Sequence, residues 1–278
     1  MKIDEIVRMA LTEDLGDGDH TSLATVPNDV IGEAILLAKE EGILAGVEVV
    51  QEVFKQFDPN IVIDVYINDG TKIKPGDRVM LVKGRSRSLL SAERTALNFI
   101  QRMSGIATFT NKIVKKIDGL NTNLLDTRKT TPCNRAVEKM AVKIGGGMNH
   151  RFGLFDMIMI KDNHVDFAGG IRNAIESTHK YLKENNKSLK IELEVRNFDE
   201  LNEALEVGGI DRVMLDNFSP AGLKKALQII DGRFETEASG GISIDTIRNF
   251  AETGVDYISV GALTHQIKSL DLSLKANF

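Results

Sequence analysis

Apolar residues recur in two different rhythms along this chain, and the change falls near residue 107. Before it, Ile3, Ile6, Val7, Ala10 and Leu11 repeat at helical spacing and predict a short amphipathic helix. An Asp/Gly-rich turn over 14–21 follows. Strand-like runs come next at Gly32–Lys39, Ile61–Ile67 and Arg78–Lys83, around the turn signals Asp69-Gly70 and Pro75-Gly76. A helix over Val47–Phe57 interrupts them, and Leu89, Leu90, Leu97 and Ile100 place a linking helix over Ser88–Met103. Strands and helices without steady alternation describe an α+β domain over 1–106.

Beyond 107 the pattern becomes strand-then-helix. Short apolar strands are predicted at Asn123–Asp126, Asp156–Ile160, Lys190–Val195, Asp211–Leu215, Arg233–Ala238 and Asp256–Val260. Helices lie between them near 168–184, 198–207, 219–230 and 243–253. Repeated β-α units imply parallel strands with right-handed crossovers. Too few strands are evident for eight units, so the expected fold class is α/β: an open or incomplete parallel α/β barrel over 107–265 with an α+β N-terminal domain. The segment 145–156 leaves room only for a short extra strand through Met148–His150, and the tail 266–278 is a candidate to pack on the first domain.

Composition narrows the partners. The 278 residues are 42% hydrophobic and 27% charged, with a net charge of -5, which excludes the broad basic face of a nucleic-acid or anionic-membrane binder. Any anion site must therefore be local. A lone cysteine, Cys133, excludes an internal disulfide framework, and no apolar run approaches ~18 residues, so a cytoplasmic location is expected.

The chemistry collects at the predicted strand ends, where parallel barrels carry their reactive groups. The first strand runs into Asp126-Thr127-Arg128-Lys129 and the second into Lys161-Asp162-Asn163-His164. The others end at Glu194, Asp216-Asn217, Ser239-Gly240-Gly241 and Gly261. Ser239, Gly240, Gly241 and Gly261 close the last two strands, where backbone N–H groups can hold phosphate, and Ser243 is a candidate cap for the next helix. Tight turns alone would also use these glycines. Alternation puts Glu192 and Glu194 on one strand face, where carboxylates need a basic partner or a metal; for Glu192 a salt bridge serves as well. Arg135, Lys139 and Lys143 recur at helical spacing and are expected to form a solvated face. Arg128, Lys129, His150, Arg151 and Lys161 lie at strand ends or beside glycines, a cluster suited to a small, multiply anionic ligand. The Asp14–Asp19 run lacks the Glu spacing of a calcium loop, Cys133 is expected to be structural, and His20 and His179 read as surface or loop residues.

These residues carry a resemblance. The stretches EDLGDGDHTS (13–22), SAERTALNFIQRMSGIAT (91–108), DTRKTTP (126–132), EKMAVKIGGGMNHRFGLFDMIMIKDNH (138–164), ELEV (192–195), MLDNF (214–218), SGGIS and ETGVDYISVGALTH resemble the quinolinate phosphoribosyltransferase family. They span nearly the whole chain. The resemblance implies a reaction of quinolinate with phosphoribosyl diphosphate, using Mg²⁺, that gives nicotinate mononucleotide, diphosphate and CO₂. It implies that Arg128, His150, Arg151 and Lys161 surround the quinolinate carboxylates and that Lys129 faces phosphoribosyl diphosphate with Lys161. Glu194 and Asp216 would bind the metal and the ribose region, and Ser239, Gly240, Gly241 and Gly261 the 5′-phosphate, with His265 close by. It further implies a homodimer or higher even oligomer in which Arg94 reaches a neighbouring site. One departure stands out: where the family continues DTRKTTP with Gly-Leu, this chain has Cys133-Asn134. Rival readings are a related molybdenum-associated group, a Schiff-base aldolase using Lys161, and a non-catalytic anion-binding protein.

Overall fold

The computed structural model describes residues 2–276. Along the chain lie helices α1 (Ile3–Leu15) and α2 (His20–Thr25), strands β1 (Ile31–Ala38) and β2 (Gly42–Ile43), and helix α3 (Val47–Phe57). Strands β3 (Val62–Val65), β4 (Lys72–Ile73) and β5 (Arg78–Arg85) lead into the long helix α4 (Ser86–Lys116). Then come β6 (Asn123–Leu125), α5 (Arg135–Ile144), β7 (Ile158–Ile160), α6 (Asp162–Ala168), α7 (Ile171–Glu184), β8 (Ile191–Val195) and α8 (Phe198–Val207). The chain continues through β9 (Arg212–Asp216), α9 (Pro220–Ile230), β10 (Glu235–Ser239), α10 (Ile247–Ala251), β11 (Tyr257–Ser259), α11 (Ala262–His265) and β12 (Leu272–Ala276).

The chain forms two compact units, the first comprising 1–111, 130–146 and 263–278, the second 112–129 and 147–262. In the first, an antiparallel sheet of order β12-β1-β5-β3 pairs Leu36 with Met80 on one side and with Leu274 on the other. Leu36, Val50, Phe54, Met80, Leu97 and Ile100 converge in its core. Residues 266–276 thus contribute a strand to this unit, while 277 and 278 lie outside the described residues. The segment 130–146, expected with the barrel, groups with the first unit instead. The reason is visible in its contacts: Arg102 of α4 pairs with Glu138 of α5, and Asn111 Nδ2 donates to the Gly145 carbonyl at 3.3 Å.

The second unit holds a six-stranded parallel sheet of order β6-β11-β10-β9-β8-β7, an open α/β barrel. Its strands are apolar and β-branched on the face that the helices cover, and β8 (IELEV) is buried at every position. Helices begin where the sequence offers caps. Asn197 accepts from Glu200 N at α8, and Ser219 accepts from Gly222 N at α9 with Pro220 at its first position. The anticipated extra strand near 148 is a single parallel bridge between Met148 and Leu125. Ser243 does not cap α10; it folds into a turn, and Thr246 takes the cap position. No helix among the described residues is long and apolar enough to cross a membrane.

Candidate active site

The strand ends of the second unit place basic and acidic groups in pairs. At the end of β7, Lys161 Nζ donates to Glu194 Oε2 at the end of β8 at 3.0 Å. Lys161 is set by its own turn, because its backbone N–H donates to His164 Nδ1 at 2.9 Å as the chain enters α6. That is the structural reason for the KDNH sequence: strand, rim lysine, then a helix start tied back to it. Beside them, burial pushes the Asp216 carboxyl pKa up, an effect countered by Asn217 and by the nearby charges of Lys161 and Lys129.

Arg128 and Arg151 are brought close enough to feel each other. Burial, and then the Arg128 charge, pull the Arg151 guanidinium below its ordinary pKa, while Glu192 and Asp156 pull the other way. Arg151 is half-buried and donates Nη1 to the Met157 carbonyl at 3.2 Å. Two like charges held together in a partly desolvated place make a strong receptor for a dianion.

His150 behaves differently from its neighbours. Its side chain is only 5% exposed and turns inward, with Nε2 at 2.9 Å from Glu192 Oε2 and 3.3 Å from Glu237 Oε2. Its backbone N–H donates to the buried Asp126 carboxylate at 2.9 Å, and the Arg151 N–H points at Nδ1 at 2.6 Å. Arg212 completes the group, reaching Glu237 at 3.1 Å and stacking 4.0 Å from the Tyr257 ring centroid. Burial works against a charged imidazole, yet the two glutamates push its pKa up to about 9. Burial, reinforced by Glu237, pushes the Glu192 carboxyl up to about 7. Despite its burial, Glu237 is held below its ordinary value by His150 and Ser259. The contact at Nδ1 suits the neutral Nε2–H tautomer, whereas the glutamates favour the imidazolium. His150, Glu192 and Glu237 have the spacing of a metal site, although Arg212 Nη1 already stands 3.1 Å from Glu237 Oε2.

The hard-cation site fits better at the rim. Asn217 Nδ2 donates to Asp216 Oδ2 at 2.6 Å, and Lys161 takes Glu194 Oε2. The second oxygen of each carboxylate has no hydrogen bond among the described residues. Such a donor set suits Mg²⁺, which takes one or two carboxylates and fills its shell with substrate oxygens and water.

Ser239 ends β10, Gly240 and Gly241 follow it, and Gly261 lies just past β11. Gly240 has φ +97°, and a Cβ there would strike the Asn217 amide oxygen, so only glycine lets the backbone lie this close to the β9 end. The remaining expected residues belong to the first unit. Arg94 is exposed on α4 and His265 is exposed at the end of α11.

Two expectations need correction. Lys139, read as solvated, is 1% exposed, and Glu138 beside it is fully buried; of that row, Lys143 is exposed and Arg135 is intermediate. Cys133, read as structural, is an exposed free thiol with φ +65°. His150, expected beside the quinolinate carboxylates, has its side chain in the buried cluster just described. Sequence reading missed Glu237 and Arg212. Strand alternation carried the signal, since Glu237 shares a face with Ser239, and Arg212 with Met214 and Asp216.

These features define an open α/β barrel whose strand ends carry basic and acidic side chains in pairs. Comparison with known proteins places the chain more narrowly. The model of the quinolinate phosphoribosyl transferase C-terminal domain matches 106–275, and that of its N-terminal domain matches 19–104. The chain belongs to the quinolinate phosphoribosyl transferase family. It is 44% identical over 286 residues to quinolinate phosphoribosyltransferase [decarboxylating] 2, mitochondrial, from Nicotiana glauca, covering 98% of this chain and 81% of that one. A probable nicotinate-nucleotide pyrophosphorylase [carboxylating] from Bacillus subtilis is 40% identical over 99% of this chain and 93% of its own. The solved nicotinate-nucleotide pyrophosphorylase of Francisella tularensis is 46% identical, with a TM-score of 0.91, covering 99% of this chain and 96% of that one.

Proposed function

We propose that this chain transfers phosphoribosyl from phosphoribosyl diphosphate to quinolinate with decarboxylation, giving nicotinate mononucleotide, diphosphate and CO₂. The observation that carries this reading is basic charge gathered at the strand ends of one parallel sheet, with Arg128 close enough to act on Arg151, and Lys129 and Lys161 close enough to act on Asp216.

The arginines orient the two ring carboxylates and so aim the pyridine nitrogen at C1′. As the C1′–O bond to diphosphate breaks, its electron pair leaves with diphosphate and C1′ gains positive character. Lys129 and Lys161 stabilise the departing negative charge, and the Gly240-Gly241 and Gly261 turns anchor the 5′-phosphate. Mg²⁺ held by Glu194 and Asp216 would supply further neutralisation of the diphosphate. The ring nitrogen, now cationic, stabilises the carbanion left when the 2-carboxylate departs as CO₂, and a proton from solvent completes the product. No covalent nucleophile is needed. His150 helps to set Arg151 by accepting its backbone N–H at Nδ1 at 2.6 Å.

The reading includes a homodimer or higher even oligomer, with Arg94 supplied to a neighbouring copy's site; its exposure on α4 is what supports that role. The decisive experiment incubates the purified chain and Mg²⁺ with phosphoribosyl diphosphate and either quinolinate or nicotinate, following CO₂ and diphosphate. Release of both from quinolinate alone is expected. Diphosphate release from nicotinate in place of quinolinate would overturn the assignment. Mixing an Arg94→Ala chain with a Lys161→Ala chain should restore part of the activity if sites are shared between copies.

A further inference from the structure

The reading of Arg135, Lys139 and Lys143 as a solvated face hid a different device on the same helix. Arg102 on α4 donates Nε and Nη2 to Glu138 Oε1 at 2.8 and 2.6 Å. The same Nη2 donates to Thr131 Oγ1 at 2.8 Å and to the Thr264 carbonyl at 3.0 Å. The other Glu138 oxygen accepts the Thr131 N–H at 3.1 Å. One residue before Thr131, Thr130 Oγ1 accepts from Arg135 Nε at 3.1 Å. All of these groups lie in the first unit.

We propose that Arg102 and Glu138 are positioning residues that hold the 130–134 segment, into which Arg128-Lys129 leads directly, in the one backbone shape that substrate binding uses. Thr130 and Thr131 directly follow Arg128-Lys129 in the chain, and both are tied by side chains to helices rather than left to the loop. At the other end of the loop Asn134 N donates to the Thr131 carbonyl at 3.1 Å, and between them Cys133 is forced into the left-handed region at φ +65°. A loop with that conformation at a non-glycine residue needs external restraint, because the backbone gains nothing locally from it. The ion pair meets that need. A buried pair contributes little net stability compared with an apolar pair of the same size, but it fixes geometry, and here the geometry fixed is a loop backbone.

This inference rests on the functional reading above, so its test has one arm that needs no activity. Cys133 is the chain's only cysteine, exposed, and lines with Arg102, Asn134 and Glu138 a cleft of about 880 Å³ in the first unit. Its rate of reaction with a disulfide reagent reports loop order. Arg102→Lys and Glu138→Gln should each speed Cys133 modification, with an unchanged far-UV spectrum. Each should also raise KM for both substrates about tenfold, with a smaller change in kcat, because the loop binds rather than reacts. The surface variant Arg172→Ala should change neither. Parental thiol reactivity in Arg102→Lys, or faster modification with unchanged KM values, would refute the proposal. If the unmodified chain consumes neither substrate, the functional reading fails, and the thiol arm still judges the clamp. Should Glu138→Gln fail to fold, Arg102→Lys alone decides.

Discussion

Asp58 and Asp19 of the first unit and Glu192 and Asp216 of the second are shifted in opposite directions. In the first, Asp58 is buried, yet hydrogen bonds from Ser88, Asn60 and Arg85 hold its pKa down at about 2. Asp19 is likewise held at about 2 by Ser22 and Ser91. These acids are fully served by donors and act as internal caps and staples. In the second unit, burial pushes Glu192 and Asp216 upward, and Arg151, a base, downward. The supply of donors rather than the unit separates the two outcomes, since Asp69 of the first unit is pushed up by burial and Glu237 of the second is held down by His150 and Ser259.

That contrast makes substitutions separable, and the greatest expected effect tests where it should fail. Glu237 lies in the second unit but serves its buried floor, so Glu237→Leu leaves Arg212 and His150 underpaired and should destabilise the fold by about 3–5 kcal/mol. Urea unfolding measures this, and a loss under about 1 kcal/mol would show that the floor is not a charge network. At the rim the reverse is expected. Arg128→Ala or Lys161→Ala should lower kcat/KM by roughly 100-fold or more with little change in unfolding midpoint. Near-normal turnover in either would remove the proposed dicarboxylate and diphosphate sites. Next comes Asp58→Asn, expected to cost about 1–3 kcal/mol of stability without altering KM. Because the folded Asp58 pKa is depressed, its contribution is present above its ordinary value of 3.8 and vanishes as pH falls through about 2. The difference in stability between parent and Asn variant should therefore shrink over that acid range. The smallest effect is expected at Cys133→Gly, where relief of the positive φ, less the entropy of a glycine, should stabilise by about 0.5 kcal/mol. Thermal unfolding of the two chains side by side measures it.

Element positions were widely legible because the periodicities are strong. The helices at Val47–Phe57 and 198–207 begin and end where the pattern puts them. The linking helix was read too short. Gly105 looks like a stop, but α4 runs on to Lys116, and this glycine is there because a Cβ would strike the Lys268 carbonyl. Strand ends carried the rim residues Arg128, Lys161, Glu194 and Asp216, since an apolar run that breaks off into charged residues marks where a strand stops. Pairing was less legible. A helical period shows that Arg135, Lys139 and Lys143 share a face but not whether that face is covered, and the partner of Glu138 is 36 residues away. The inward turn of His150 likewise depends on Glu192 and Glu237, brought to it by separate strands.

The pairing of β12 with β1 has a consequence for how the molecule is made. Leu274 closes the sheet against Leu36, yet every strand of the barrel lies between them in the chain. During vectorial synthesis β6 to β11 leave the ribosome before the first sheet can be completed. The usual order, in which the N-terminal unit folds first and templates the remainder of the chain, is therefore unavailable to this part of the molecule. Until β12 arrives, β1 offers an unpaired edge along Ala34–Ala38, the kind of surface on which nascent chains pair with one another or with a chaperone.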